Sequence, residues 1–466
     1  MISPASFGPT RAPLGEIAIK LDDGFFPQGP TGGPARITGG KRHRVAIVGS
    51  GVAGLGAAAA LNDCCQVTLF EAEDRPGGHA MTIPVDYDGV EVAADVGFMV
   101  FAPAIYPQLC DLFSKLGVKS RRTSMSFGVS AEDGFDWSWT GKRDPRGWLR
   151  NGLSTERRRL FLEILRFNSF AKRIARDEPT STTPLKAWFS EAGLSPTFAR
   201  LYGFPLVCAI WSVPAHAAAE FPVGRLCVFL ERHRLLYLQA HSWRSIIGGS
   251  ARYVEPLVST INDVRVATPV ERVERRADGG VIVRDAAGRE ELFDTVIFAT
   301  HPDDTLRILA DADGMERGTL GAISYQPNEV VLHRDPALMP PKRALWAAWN
   351  VCLSRDQSGG EQSSVSYWLN RLQGVPKAMP LFVTVNPQKE PATRTTFGRW
   401  TLSHFELNGA AVAAQSALPA IQGRGGVWHC GAWTADGFHE DGLASGLAVG
   451  AQIAAQPVKQ ALEGSA

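Results

Sequence analysis

Three glycines, Gly49, Gly51 and Gly54, stand at GxGxxG spacing between a short apolar run, Val45 to Val48, and an alanine-rich segment of helical composition. That context gives the spacing its meaning. The first glycine permits a tight turn, the second lets backbone N–H groups approach a pyrophosphate at a helix N-terminus, and the third lets the helix pack on the strand. Ala53 lies in the same turn and joins the candidate contacts. A second short strand, QVTLF, runs into Glu71, 22 residues after Gly49, where a carboxylate can accept both hydroxyls of a ribose. Such an acid suits an unphosphorylated adenosine ribose, as in FAD or NAD, and disfavours NADP. The plain alternative, a glycine turn without a ligand, does not account for the acid.

The rest of the chain is arranged around that βαβ unit. Residues 1–40 carry 14 glycines and prolines without periodicity and read as an extended arm, so the folded body begins near Lys41. From about 104 to 234 apolar residues recur at three-and-four spacing, in IYPQLCDLFSKLGV, RRRLFLEILRFNSFAKRIA and LKAWFSEAGL, which predicts a helical stretch. Period-two alternation follows over 264–300, turning at Asp278-Gly279-Gly280 and closing on an apolar strand, Thr295 to Ala299. A second strand-rich stretch spans about 316–400. The chain then closes with a strand, a glycine-rich loop and a small-residue helix.

Beyond Glu71 the sequence reads Ala72-Glu73-Asp74-Arg75-Pro76-Gly77-Gly78-His79, then Thr82, then Asp95-Val96-Gly97-Phe98-Met99. Near the other end stand Cys430-Gly431-Ala432-Trp433-Thr434-Ala435 and Gly437-Phe438-His439-Glu440-Asp441-Gly442. Together these blocks resemble the signature of the flavin-containing amine oxidoreductase superfamily, which includes monoamine oxidases, phytoene desaturases and protoporphyrinogen oxidase. Its first block runs from a ribose-binding acid through RxGG to an aspartate-glycine turn beside the flavin. Its last block opens a helix whose N-terminus points at the flavin, a placement that stabilises the negative charge of the reduced ring.

The match is nearer still to a branch of predicted NAD/FAD-binding proteins that accompany cyclopropane-fatty-acid-synthase-like lipid methyltransferases, some of which resemble methyl-lipid desaturases. It covers about residues 43–455 and rests on GGHAMT, DVGFMVF, SYQPNEVVLH, YWLNRLQG, VTVNP and GAWTADGFHEDGL. The resemblance implies FAD, with Glu71 and Ala72 at the ribose and Val270 on the adenine side. Arg75, Gly77, Gly78, His79, Gly97, Phe98 and Met99 are implied contacts along the cofactor. Gly431, Asp441, Gly442 and Leu443 are implied contacts from the closing motif.

The chain also departs from that pattern. Glu73 and His79 stand where many monoamine oxidases carry arginines, so the pyrophosphate contacts differ in detail. Phe438 matches the aromatic-cage tyrosine of amine oxidases, keeping a stacking face and losing the hydroxyl, which weakens the amine reading. No SGGC-type cysteine precedes the last strand and Cys430 reads as a small buried residue, so FAD is expected without a covalent bond. His79, His301 and His439 sit in cofactor-side motifs, where positioning or flavin contact is expected. Spacing assigns no catalytic acid–base or nucleophile set.

Removing a hydride from carbon requires the C–H bond to lie against the flavin in a water-poor pocket. Trp346, Trp349, Tyr367 and Trp368 cluster in the second strand-rich stretch and could line an apolar tunnel or serve as core. Phe438, Tyr367, Trp349 and Trp368 are the substrate-pocket candidates. Tyr367 and Trp368 fall on opposite faces of a strand, so at most one of that pair lines the pocket.

Residues 142–176 hold 11 Lys/Arg against 3 Asp/Glu. They read as a basic amphipathic helix suited to an anionic membrane surface or an acidic carrier protein, or as a solvated face. The whole chain balances 48 Lys+Arg against 47 Asp+Glu, which argues against nucleic acid as a partner. Seven cysteines form no CxxC pair and no metal-like cluster, so neither a metal nor a disulfide framework is expected. No apolar run approaches the ~18 residues of a spanning helix and no signal segment precedes the body. A cytoplasmic protein is expected, with peripheral attachment to the inner face of the membrane as the variant the basic stretch allows.

The expected fold is α/β. A discontinuous, Rossmann-like FAD-binding domain is drawn from 41–103, 235–315 and 417–458. A mixed α+β substrate domain is drawn from 104–234 and 316–416. The expected activity is FAD-dependent oxidation of a lipid or fatty acyl substrate, a desaturation or other double-bond modification. The alternatives are a flavin amine oxidase, a redox-neutral FAD-dependent fatty acid double-bond isomerase, and a non-catalytic flavin-binding partner of a lipid methyltransferase. The substrate, the electron acceptor and the oligomeric state stay open.

Overall fold

The strand Arg44–Val48 is central to the molecule because its residues have no polar side to show: Val45, Ala46 and Ile47 are fully buried. A strand covered on both faces is the hallmark of a parallel sheet. In this computed structural model, which describes residues 42–139, 154–237, 241–355 and 360–456, it pairs in parallel with Gln66–Phe70 on one side and Thr295–Phe298 on the other. Asp263–Arg265 and Val427–His429 complete a five-stranded parallel sheet at its edges. The expected N-terminal arm and the segment 142–153 lie outside the described residues.

The helix Val52–Leu61 follows the first strand and packs against the C-terminal helix His439–Ala454 almost backbone to backbone. Gly446 makes this possible, since a Cβ there would stand 1.9 Å from the Ala53 carbonyl oxygen. A three-stranded antiparallel meander, Val270–Arg275, Val281–Asp285 and Glu290–Phe293, flanks the parallel sheet and shares an apolar cluster with it through Val273, Val283, Phe293 and Val296.

A separate seven-stranded sheet runs in the order Thr396–Phe405, Tyr325–His333, Phe382–Val385, Glu361–Trp368, Trp349–Arg355, Phe127–Ala131 and Asp136–Trp139. All its pairings are antiparallel except that between Trp349–Arg355 and Phe127–Ala131. Helices between Thr155 and Arg232 share its core, with fully buried Phe167 amid Trp188, Phe189, Phe198 and Tyr202. The molecule is therefore the expected α/β fold, a Rossmann-like sheet joined to a mixed α+β part.

One expectation needs correcting. The stretch 104–234 is not helical throughout, because it contains the strands Ser120–Arg122, Phe127–Ala131 and Asp136–Trp139. The apolar residues there alternate with polar ones, Phe135 and Trp137 with Asp136 and Ser138, in a hairpin that turns at Gly134, where φ is +86°. Among the described residues no helix is long and apolar enough to cross a membrane.

Candidate functional site

The loop after the first strand carries the three motif glycines. A Cβ at Gly54 would sit 2.0 Å from the Gly49 carbonyl oxygen, so the helix can start this close to the strand only with glycine there. A Cβ at Gly51 would meet nothing within 4 Å; Gly51 is the N-cap, and no side chain caps the first turn of the helix that follows. That turn presents its N–H groups to a cavity, the local arrangement that receives a phosphate.

Glu71 follows the second strand and is fixed by backbone donors: the Ser50 N–H meets its Oε2 at 2.9 Å and the Glu73 N–H meets its Oε1 at 2.9 Å. The Ser50 hydroxyl, fully buried, also donates to Glu71 and accepts from the Gly77 N–H at 3.2 Å. Ser50 thus ties the glycine loop, the acid and the RPGG turn together. The x positions of the motif gave no signal for it. Arg75 lies under the turn, its guanidinium donating to the Gly78 carbonyl at 3.0 Å.

Asp95 supports the aspartate-glycine turn from behind. It is 2 % exposed and accepts from the Ser250 N–H at 2.8 Å, the Ser250 hydroxyl at 2.7 Å and the Thr82 hydroxyl at 2.6 Å. Burial pushes its carboxyl up from the usual range despite these donors. Phe98, beyond the turn, stacks on His439 at 3.9 Å, and the ring nitrogen of His439 meets the Tyr253 hydroxyl at 2.6 Å.

These elements enclose one cavity of about 1050 Å³, which exceeds the usual range of about 300–1,000 Å³ for small-molecule sites. Gly49, Gly51, Ala53, Glu71, Ala72, Arg75, Gly77, Gly78 and Val270 line it, and so do His79, Gly97, Phe98, Met99 and Gly431. Trp349, Tyr367 and Phe438 line it too, among Ile210, Trp211, Ser212, Val330, Val385, Thr401, Leu402, Ser403, His404 and Phe405.

The structure does not bring every candidate to that wall. Gly54 stands behind it as the packing glycine, and Gly442 and Leu443 pack on the first helix, against Val52 and Gly56. The Asp441 carboxylate is turned to its own helix start, accepting the Phe438 N–H at 2.9 Å. Its proton affinity is raised by burial and by neighbouring Asp436. Trp368 is a correction. On the strand face opposite Tyr367, it packs edge-on against Trp346 at 5.4 Å beside Phe382, and its indole N–H goes to Asn370 at 2.8 Å. Trp346 belongs to that same cluster and not to the cavity.

Sequence reasoning missed His404, at the end of a sheet strand. It lies 5.3 Å from His79, which lies 6.5 Å from His301. Burial pulls His79 down to about 3, aided by the neighbouring histidines, and pulls His404 to about 4 and His439 to about 3; it lowers His301 as well. All four are neutral near pH 7. His79 Nε2 is buried without a hydrogen-bond partner among the described residues. His301, Asp303 and Asp304 place ligand-type atoms within 4.8 Å of one another, but Asp304 is held by Arg307 at 2.6 Å and the His301 ring stacks on Tyr325 at 3.8 Å.

Glu440 of the closing motif is buried. Its carboxylate caps the helix Pro107–Leu116 through the N–H groups of Gln108 at 2.7 Å and Leu109 at 3.0 Å. No cysteine lines the cavity, and burial pushes the Cys430 thiol up to about 12. An uncapped helix start, an acid fixed at the end of the second strand, an open position at Gly51 and a cavity of this size fit a flavin dinucleotide.

The flavin containing amine oxidoreductase family matches residues 52–331. Among solved structures, cyclohexylamine oxidase from Brevibacterium oxydans superposes with a TM-score of 0.66 at 16 % identity, over 89 % of this chain and 99 % of that one. Putrescine oxidase bound to putrescine gives 0.63 at 18 %, over 89 % and 100 %. A fatty acid isomerase from P. acnes that produces CLA gives 0.61 at 15 %, over 88 % and 98 %. At such identities the likeness concerns the fold. No curated protein sequence matches significantly.

Proposed function

Since the chain belongs to the flavin-containing amine oxidoreductase family, we propose that it is an oxidoreductase that binds FAD without a covalent bond and acts on the acyl chain of a lipid. A bound flavin supplies the hydride acceptor. The chain's own residues divide the remaining work. Glu71 would hold the adenosine ribose, the first turn after Gly51 the pyrophosphate, and Gly97, Phe98 and the loop at Gly431 the flavin half. The neutral histidines put no fixed charge beside the ring.

The observation that carries the substrate reading is the wall formed by Ile210, Trp211, Val330, Trp349, Tyr367, Val385, Leu402, Phe405 and Phe438, interrupted by the uncharged groups Ser212, Thr401, Ser403 and His404. The carboxylates that line the cavity, Glu71, Glu73, Asp74 and Asp304, all follow strands of the parallel sheet and are not part of this wall. An ammonium group there would find aromatic faces and no carboxylate, whereas an alkyl chain gains roughly 0.8 kcal/mol per buried CH₂ along the whole wall. That a fatty acid isomerase shares the fold supports the capacity of this architecture for an acyl chain.

The test is anaerobic mixing of the FAD-loaded protein with acyl phospholipids, mid-chain-methylated ones included, following the flavin band near ~450 nm. Bleaching by lipid is expected. Bleaching by a simple amine and by no lipid would make it an amine oxidase. A shifted double bond with no acceptor consumed would make it an isomerase, and no bleaching by either class would leave a flavin-binding partner protein.

A further inference from the structure

We infer that the outer face of the helix Thr155–Asp177 is a docking surface for an anionic lipid bilayer. The helix buries one stripe, Leu160, Phe167, Ala171, Ile174 and Ala175, so its core contacts are complete without the opposite side. On that opposite side Leu162 is 63 % exposed and Leu165 is 46 % exposed. Exposed arginines frame them: Arg158, Arg159, Arg166, Arg173 and Arg176. At about 3.6 residues per turn, Arg158, Leu162, Leu165, Arg173 and Arg176 share roughly a quarter of the circumference.

Only part of this charge is met by the helix's own acids. Glu163 is turned inward, accepting the Ser195 N–H at 2.8 Å and the Ser195 hydroxyl at 2.7 Å, and Asp177 is paired with Arg176 at the very end. Glu156 stands in the first turn, and between Arg157 and Arg176 Glu163 is the sole acid. The patch continues onto Tyr237, 37 % exposed, over whose ring Lys172 lies at 3.9 Å and Arg234 at 5.1 Å and whose hydroxyl donates to the acid Glu231.

Charge selects the occupant. A second copy docked by the same face would set arginine against arginine. Two leucines projecting from a convex helix among long cationic side chains match the boundary of a bilayer, where cations meet phosphates and aliphatic groups reach the acyl layer. The inference goes beyond the proposed chemistry and does not depend on it, since docking would bring the protein to any lipid-phase molecule.

The test uses the full chain loaded with FAD and sedimentation with vesicles of phosphatidylcholine alone or mixed with phosphatidylglycerol. Binding should require the anionic lipid and fall steeply with salt, as the Debye length shrinks from ~10 Å at 0.1 M to ~3 Å at 1 M. Replacing Arg158, Arg159 and Arg173 by Gln should lower partitioning about 100-fold, about fivefold per cation. Leu162→Gln with Leu165→Gln should lower it about tenfold while leaving the salt dependence unchanged. The flavin spectrum and thermal midpoint of both variants should match the parent, which separates lost docking from lost folding. Equal binding to neutral vesicles, or parental binding by both variants, overturns the inference. So does binding of the parent to polyglutamate with none to anionic vesicles, which would assign the face to an acidic protein. Turnover of detergent-dispersed lipid, read separately, distinguishes failure of docking from failure of the acyl-chain reading.

Discussion

Replacing Glu71 examines the cofactor site where its geometry is best defined. Its two carboxylate oxygens serve different donors, Oε2 the Ser50 N–H and Oε1 the Glu73 N–H, each at 2.9 Å. A glutamine has one acceptor oxygen, so Glu71→Gln turns an NH₂ toward one of the two donors whichever way the amide is oriented. The charge-assisted bond that the carboxylate would make to the ribose is weakened or lost, about 1.5–3 kcal/mol of binding, and one backbone donor is left unpaired besides. The dissociation constant for FAD should rise about 10- to 100-fold, at 1.4 kcal/mol per decade. Glu71→Ala removes both acceptors and should cost about 100-fold or more. Titrating apo-protein with FAD and, separately, with ADP locates the loss, because the contact belongs to the adenosine half that both ligands share. The two affinities should fall by the same factor. Unchanged FAD affinity would refute the assignment, as would weakened FAD binding with ADP binding unaltered.

Gly446→Ala should lower the unfolding midpoint, because the added methyl meets the Ala53 backbone 1.9 Å away and overpacking costs about 1–3 kcal/mol; an unaltered midpoint in thermal denaturation would show that the two helices separate freely. Stability should also depend on pH through the cavity histidines. Their folded affinities, about 3 for His79 and His439 and about 4 for His404, lie below the ~6.5 of an unfolded histidine, so the unfolded chain binds protons first as pH falls. The denaturant midpoint should be level above pH ~7 and decline from ~6.5 towards ~4, less steeply in His79→Gln; a flat profile in the parent would contradict the burial of these rings.

The dinucleotide loop was legible because backbone geometry dictates it. A glycine whose absent Cβ lies 2.0 Å from a carbonyl, and an acid at the end of the next strand, are demands that local sequence expresses. Ser50 was not legible, since any small residue satisfies the motif there and its three-way hydrogen bonding appears only when Glu71 and Gly77 are brought to it. Alternation restricted the pocket to one of Tyr367 and Trp368 without saying which. The decision came from long-range pairing, which sets Tyr367 opposite Trp349 and Trp368 opposite Phe382. The hairpin 127–139 was absorbed into a helical stretch because three strong helical segments surround it. His404 gave no local signal, as a polar residue at a strand end reads as solvent-facing until the neighbouring walls close over it.

The parallel sheet has a consequence for how the protein is made. Arg44–Val48 leaves the ribosome long before its neighbour Thr295–Phe298, and that strand long before the edge strand Val427–His429. At about 5–20 residues per second, the first βαβ unit waits tens of seconds for the strands that cover its other side. Pairings this distant are slow to close, and until they do an apolar strand stands open to foreign edges. The helix that buries Ala53 is later still, ending at Ala454. A nascent chain arrested before His439 lacks the helix that covers Ala53, and its open apolar strand is the kind of surface that chaperones hold.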